Sequence, residues 1–338
     1  MPRKPRPTIR DVAARAGVSH QTVSRVINRS ERVSAETQQR VESAIAELGF
    51  RPDMIARAMA WGRSFTLACL APNQTDYTFS RIIEAAEATA RQAGYLLLTS
   101  SAPDETAFRE LVEHLVDNRR VEGLMVINPY VDGRSRHLPA GLPVTLVGSY
   151  ARSEAFHSVN LDNTMAGYQA ARHLIELGHR RIALITGPLN EDCSVDRQAG
   201  FETALRDAGL PVRPDWICQG DWTAASSYRF FQSLPRADLP SAVFAQNDRM
   251  AIGIIRAARD WGLAVPDDLS VLGFDDMPLA SYFDPPLTTI QQDMFLIGRE
   301  AARLLLGAVE QPDAERKHVV IPARLILRRS TAPFRERR

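Results

Sequence analysis

The sequence predicts an α/β protein in two parts. An N-terminal three-helix unit carrying a helix-turn-helix is followed by a body of two doubly wound parallel-sheet subdomains. Three observations predict it. Residues 8–28 read as two short amphipathic helices joined by a Gly-containing turn. From Phe65 onward, short Leu-, Ile- and Val-rich runs alternate with helical patterns, as strands joined by crossover helices do. That alternation is too long for a single sheet, and 338 residues are two or three domains' worth of chain.

The first helix starts at Thr8, whose hydroxyl can take a free N–H of the first turn while Asp11 reaches back, a carboxylate version of the capping box. Val12, Ala13 and Ala16 give it an inner face, and Gly17 ends it where a left-handed backbone is easiest. Ser19 caps a second helix with Val23, Val26 and Ile27 on one side. His20, Gln21, Ser24 and Arg25 fall off that side, near the end that would enter a major groove; with Thr8, Ser19, Thr22 and Asn28 they make up the expected DNA-contact residues of the head. A third helix, capped by Ser34, closes the unit with Val41, Ile45 and Leu48. A small bundle with a solvated polar face is the bland alternative, but turn, caps, apolar pattern and side-chain chemistry agree on a DNA reader.

Charge points the same way. Residues 1–65 hold 12 Lys and Arg against 6 Asp and Glu, whereas the remainder holds 29 against 34. The net charge of +1 therefore hides a basic head on an acidic body. Such a head attracts a phosphate backbone in a salt-dependent way.

Between head and body lies a segment, 51–64, with Pro52 and an Ala-rich run of about two helical turns, too short to be stable alone. It could fold on DNA beside a second copy, with Met59 and Ala60 wedged between base steps. An ordinary interdomain linker has the same composition.

In the body, strands are expected at 65–71, 95–100, 123–128, 143–148, 181–186, 241–245 and 269–274, with a short one around Ile217. Helices are expected at 81–93, 107–118, 163–177, 195–208, 248–261 and 294–309, and the subdomains split near residue 162. Ligands in such sheets bind beyond the carboxyl ends of the strands. Tyr77, Phe79, Arg197, Trp222, Asn247, Asp275 and Asp276 follow strand ends. Guanidinium, carboxylate and amide groups beside aromatic rings suit a sugar, because each charged group takes two hydroxyls and a ring covers the apolar face.

Other classes are disfavoured. The chain has no GxxxxGK[ST], no GxGxxG after the first strand and no GxSxG elbow, so no enzyme signature and no cofactor is expected. Cys69, Cys193 and Cys218 show neither a disulfide framework nor metal spacing, and His179 is read as closing a helix end. No apolar run reaches a membrane span and no apolar signal segment leads the chain, so a cytoplasmic protein without membrane contact is expected. A solute-binding protein would share the body but not the basic head.

Together, head, linker and body resemble the LacI/GalR family of transcription regulators over roughly residues 8–330. The specific pieces are Asp11-Val12-Ala13, Ala16-Gly17-Val18-Ser19, Thr22-Val23-Ser24-Arg25-Val26-Ile27-Asn28, Gly178-His179-Arg180-Arg181-Ile182-Ala183, Asn247-Asp248, Gly273-Phe274-Asp275-Asp276 and Pro286-Leu287-Thr288-Thr289-Ile290. The resemblance implies a periplasmic-binding-protein-like body and a homodimer on a pseudo-palindromic operator. It assigns base contacts to His20, Gln21 and Arg25, and effector contacts to Arg197, Trp222, Asn247, Asp275 and Gln292, with Phe79 as a stacking ring. Within the family the likeness leans toward the member that names it. His20 stands where that member has Tyr, Met59 where a Leu wedge is usual, and Gly148 where an aspartate lies near its sugar; an arginine is missing around residues 102–104. These departures argue against a β-galactoside and leave a sugar or sugar derivative. The chain ends soon after Leu325-Ile326-Leu327 without a leucine-heptad tail, so a dimer is expected.

The implied organisation is 1–50 for the DNA-binding head, 51–64 for the hinge, 65–330 for the effector and dimerisation body, and 331–338 for a tail. The body's N-subdomain is expected at about 65–162 and 292–325, its C-subdomain at about 163–290. The implied mechanism is a population shift in which a ligand favours one subdomain arrangement and changes operator affinity. Induction by a sugar is expected; corepression, as in purine-responsive members, uses the same parts with opposite sign.

Overall fold

The computed structural model describes residues 7–27, 33–50, 63–117, 120–127, 130, 132–148 and 155–336. It divides into two compact units, Met1–Ser64 and Phe65–Arg338.

The first unit holds α1 (Ile9–Ala16), α2 (His20–Ile27) and α3 (Ala35–Leu48). The reciprocal box is present: the Asp11 N–H donates to Thr8 Oγ1 at 3.4 Å, and the Thr8 N–H donates to Asp11 Oδ2 at 2.7 Å. That backbone bond holds the Asp11 carboxyl below its ordinary range. Gly17 ends α1 at φ 64. Ser19 Oγ then accepts the Thr22 N–H at 3.1 Å and starts α2. Val12, Val23 and Val41, one from each helix, are fully buried at the centre, with Ala44 and Phe50 beside them. Most of the expected hinge, together with Asn28, Met59 and Ala60, lies outside the described residues.

The second unit contains two six-stranded sheets. In chain order the strands are β1 (Thr66–Ala71), β2 (Leu96–Ser101), β3 (Gly123–Ile127), β4 (Val144–Val147), β5 (His157–Leu161), β6 (Ile182–Thr186), β7 (Ile217–Gln219), β8 (Ala242–Ala245), β9 (Ser270–Asp275), β10 (Thr288–Gln291), β11 (His318–Ile321) and β12 (Arg324–Ile326). The helices among them are α4 (Tyr77–Gln92), α5 (Glu105–Asp117), α6 (Asn163–Glu176), α7 (Asp192–Asp207), α8 (Ala224–Ser233), α9 (Asp248–Asp260) and α10 (Met294–Glu310). The first sheet runs β11-β5-β4-β3-β1-β2, all parallel. The second runs β12-β10-β9-β8-β6-β7 and is parallel except for β12, which lies antiparallel to β10. β1, β3, β6 and β8 are buried almost throughout, as strands covered by helices on both faces are.

Three short crossings join the subdomains: Leu161 to Asn163, Gln291 to Met294, and Ile321 to Arg324. The last corrects the expected boundary. The stretch returning to the first subdomain ends at Ile321 rather than at 325, because Leu325 pairs with Ile290 and packs on the second subdomain's core. The chain beyond β12 stays on that subdomain. Ser330 is fully buried and donates to the Val271 carbonyl at 2.6 Å, and the Phe334 N–H donates to the Leu177 carbonyl at 2.7 Å. His179 fastens the same segment: its ring nitrogens lie 3.0 Å from Ser241 Oγ, 3.1 Å from Ser270 Oγ and 3.0 Å from the Ala332 carbonyl. Among the described residues no helix is long and apolar enough to cross a membrane.

Candidate functional site

In the head, burial of Val23 and Val26 turns the other side of α2 outward. His20, Gln21 and Arg25 are exposed there, with Thr22 and Ser24 half-buried beside them. Thr8 and Ser19, both exposed, hold the N-terminal ends of α1 and α2. An exposed amide, imidazole and guanidinium on the first two turns of one helix form a surface that can hydrogen-bond base edges. The same exposed N-terminal end presents backbone N–H groups to phosphates.

In the body, a cavity of about 150 Å³ lies at the carboxyl ends of both sheets. That volume suits a ligand built on one or two rings. The first subdomain contributes Asn73, Asp76, Thr78 and Phe79 after β1, and Tyr130 after β3. The second contributes Glu191, Cys193 and Arg197 after β6, Trp222 after β7, Asn247 and Arg249 after β8, and Asp275 at the end of β9. Asn163 and Gln292 enter from two of the crossings.

Arg197 is fixed on three sides. Its Nε donates to Asn163 Oδ1 at 2.8 Å and its Nη1 to the Gln246 carbonyl at 2.8 Å, while its guanidinium carbon sits 3.5 Å from the Phe274 ring centroid. The backbone beneath it is fixed too, because Gly167 of α6 lies so close that a Cβ there would stand 2.1 Å from the Arg197 carbonyl oxygen. Trp222 is held with φ at 65°, and its indole N–H donates to Glu191 Oε1 at 3.0 Å. The indole lies flat on Gly187, where a Cβ would meet the ring at 2.1 Å. Asn247 caps α9 through the Met250 N–H at 2.7 Å and donates to the Trp222 carbonyl at 3.1 Å. Asp275, also at positive φ (107°), accepts Gln292 Nε2 at 2.6 Å. Two non-glycine residues in sparsely populated backbone conformations thus sit in one cleft, where such strain tends to collect.

Burial governs the acids. It pushes the Asp275 carboxyl well above its ordinary range, assisted by the nearby Asp248. It raises Asp248 from 3.8 to about 7, and it raises Glu191, against the Trp222 hydrogen bond and the Arg197 charge. The Cys193 thiol is pushed up to about 12, so it is not a thiolate at neutral pH.

Among the described residues, two contacts span the cleft. The Arg249 guanidinium pairs with Asp76, which also caps α4 through the Thr78 N–H. An isolated antiparallel bridge joins Tyr130 to Glu191.

The structure therefore gathers Phe79, Arg197, Trp222, Asn247, Asp275 and Gln292 around one cavity and leaves Tyr77 off its wall. Tyr77, the first residue of α4, packs on the first subdomain's core near Arg81. Asp276 turns away as well, into an ion pair with Arg328 at 2.5 Å. Sequence reasoning missed Asn163, Glu191, Asp76, Arg249 and Tyr130. The first four stand within two residues of a helix start, a position that could have singled them out.

The sequence model of a family described as bacterial regulatory proteins, lacI family, matches residues 8–53, and that of a periplasmic binding protein-like domain matches residues 171–331. The HTH-type transcriptional repressor PurR of Erwinia tasmaniensis is 38% identical over 338 residues, covering 98% of this chain and 99% of the relative. Among solved structures, the lac repressor dimer bound to operator and the anti-inducer ONPF has a TM-score of 0.88 at 32% identity, covering 97% of this chain and 100% of that one. A transcriptional regulator CelR–cellobiose complex has a TM-score of 0.74 at 32% identity, covering 96% and 100%.

Proposed function

The chain belongs to the lacI family of bacterial regulatory proteins and is a DNA-binding transcriptional repressor; from that premise we propose that it leaves a pseudo-palindromic operator when a sugar or sugar derivative fills the cleft of its body. The observation that carries the proposal is the single cavity that collects Phe79, Trp222, Arg197, Asn247, Asp275 and Gln292. Two aromatic faces, two amides, a carboxylate and a guanidinium match the alternating donors, acceptors and apolar face of a sugar ring. The CelR–cellobiose relative supports the class of ligand.

Switching follows from the two-lobed body. A ligand that touches both lobes favours the arrangement in which it is enclosed, and shifts the equilibrium by its differential affinity for the two arrangements. If that arrangement disfavours paired heads at operator spacing, the ligand induces. The proposed assembly is a homodimer, in keeping with the operator-bound lac repressor dimer. The exposed Leu279 and Tyr282, 60% and 84% accessible on one short turn, form an apolar patch suited to a second copy.

A second reading has its own observation: the relative at 38% identity carries the name PurR, which favours a purine base acting as corepressor. A planar base would stack on Phe79 or Trp222 as a sugar does. One experiment separates the two. Binding of the protein to DNA upstream of its own operon is followed by gel shift with neutral sugars or purine bases added. Release by a sugar supports the first reading, tightening by a purine base supports the second, and absence of sequence-specific retardation at moderate salt contradicts both.

A further inference from the structure

We infer that Gln246, a side chain off the cavity wall, is a positioning residue of the effector site: it ties the floor beneath Trp222 to the helix that carries Arg197. The inference rests on the reading that this cavity is the effector site, and it holds for a sugar or a base alike.

Gln246 directly follows β8 and is fully buried. It is not part of the cavity wall, whereas its neighbour Asn247 is. Its main chain is pinned on both sides. The Gln246 N–H donates to the Ile185 carbonyl of β6 at 3.0 Å, and the Gln246 carbonyl accepts Arg197 Nη1 at 2.8 Å. The side-chain amide then joins two further segments. Its Oε1 accepts the Gly187 N–H at 3.1 Å, and its Nε2 donates to the Ser194 carbonyl at 3.0 Å. The amide fits only this way round, because a backbone N–H must donate and a backbone carbonyl must accept.

Each tie ends beside a cleft residue. Gly187 is the glycine on which the Trp222 indole lies, where a Cβ would meet the ring at 2.1 Å. Ser194 stands in the first turn of α7, one turn before Arg197. Gln246 therefore sets the spacing between the support of the ring and the helix of the guanidinium, and its carbonyl aims the guanidinium itself. The role needs a donor and an acceptor at the end of a side chain of this length. Glutamate loses the donor when ionised, and methionine loses both. Both partners are main-chain groups, which are costly to leave unpaired in a buried place. All of these ties lie within the second subdomain, so its half of the site is held ready before a ligand arrives, and less ordering is left to the binding step.

The test uses the full-length protein labelled with fluorotryptophan and read by fluorine NMR, with the Trp222 resonance assigned through Trp222→Phe. Gln246→Met keeps length and volume and removes both side-chain bonds. It is expected to shift the Trp222 resonance, while those of Trp216, before β7, and Trp261, at the far end of α9, stay in place. This arm needs no ligand. In titrations with cellobiose and hypoxanthine, a probe that binds the unmodified chain is expected to bind this variant about tenfold more weakly, with operator affinity in the absence of probe unchanged. Gln246→Ala, which leaves room for water beside the two main-chain groups, carries the same measurements if the methionine variant does not fold. Loss of fold in both variants makes Gln246 a residue of stability alone and overturns the inference. A folded variant whose Trp222 resonance does not move, or one that keeps full affinity for a probe that Arg197→Lys no longer binds, also overturns it and leaves the cavity reading intact. A probe that binds Gln246→Met and Arg197→Lys as tightly as the unmodified chain binds elsewhere, and the cavity reading itself then fails.

Discussion

Arg197 and Gly187 show how single residues set the cleft. Arg197 combines a planar stack on Phe274 with two directed bonds, which Lys cannot reproduce. Arg197→Lys is expected to keep operator binding and lose most of the ligand response, read as an operator-release titration. Gly187→Ala places a methyl group into the Trp222 indole. It is expected to displace the ring, blunt the ligand response and cost about 1–3 kcal/mol of stability in chemical unfolding. Asp248 makes a prediction in pH. Its Oδ2 accepts the Met277 N–H at 2.7 Å and its Oδ1 the Thr289 hydroxyl at 2.6 Å; both bonds favour the charged form, and burial outweighs them. With its pKa raised by burial from 3.8 to about 7, the folded chain holds a proton there that the unfolded chain releases. This group's contribution to stability is therefore full below 3.8, falls as pH rises to about 7, and is flat above it. The slope is at most ~1.4 kcal/mol per pH unit. Urea unfolding at about pH 5 and about pH 8 should show a smaller loss for Asp248→Asn than for the unmodified chain.

At the level of elements, the head is an assembly of caps, and each cap has a measurable share. Ser19→Ala removes the bond to the Thr22 N–H and is expected to cost about 1 kcal/mol in head stability, seen as a lower unfolding midpoint of that unit. Gln21→Ala leaves the caps intact and should instead relax base choice, by about 1–3 kcal/mol at one operator position. The head was legible because its signals are local: Thr8 with Asp11, Gly17, Ser19 and Ser34 act within one turn of where they sit. The central strands were legible because buried parallel strands are continuous apolar runs. β5, β10, β11 and β12 were not read as strands. Ser158, Asn160, Thr288 and Thr289 are polar, and only pairing with distant strands buries them. β12 also runs against the grain of its sheet, which no local pattern announces. The cleft was half legible. Residues after apolar strand ends were found, whereas Asn163 looked like an ordinary helix start, Glu191 lay ahead of the helix expected at 195–208, and Tyr77, though close to Phe79 in sequence, does not line the cavity.

For the whole molecule, the proposed control depends on a ligand that holds two lobes together. The lobes are joined by three short crossings and by two contacts across the cleft, Asp76 with Arg249 and Tyr130 with Glu191. The ion pair is a minor part of closure, since Arg249 is 38% exposed and such pairs contribute ~0.2–1 kcal/mol. Arg249→Gln is therefore expected to raise the ligand concentration for half-maximal response by no more than about fivefold. On the proposed mechanism, the ligand's own contacts to both lobes carry the rest. The most direct measurement is operator affinity by fluorescence anisotropy, with and without a ligand that raises Tm, for the unmodified chain and for Arg197→Lys. The unmodified chain should lose operator affinity when ligand is added, and Arg197→Lys should bind operator equally well in both conditions. Operator affinity that stays unchanged when a stabilising ligand saturates the unmodified chain would contradict a ligand-controlled repressor.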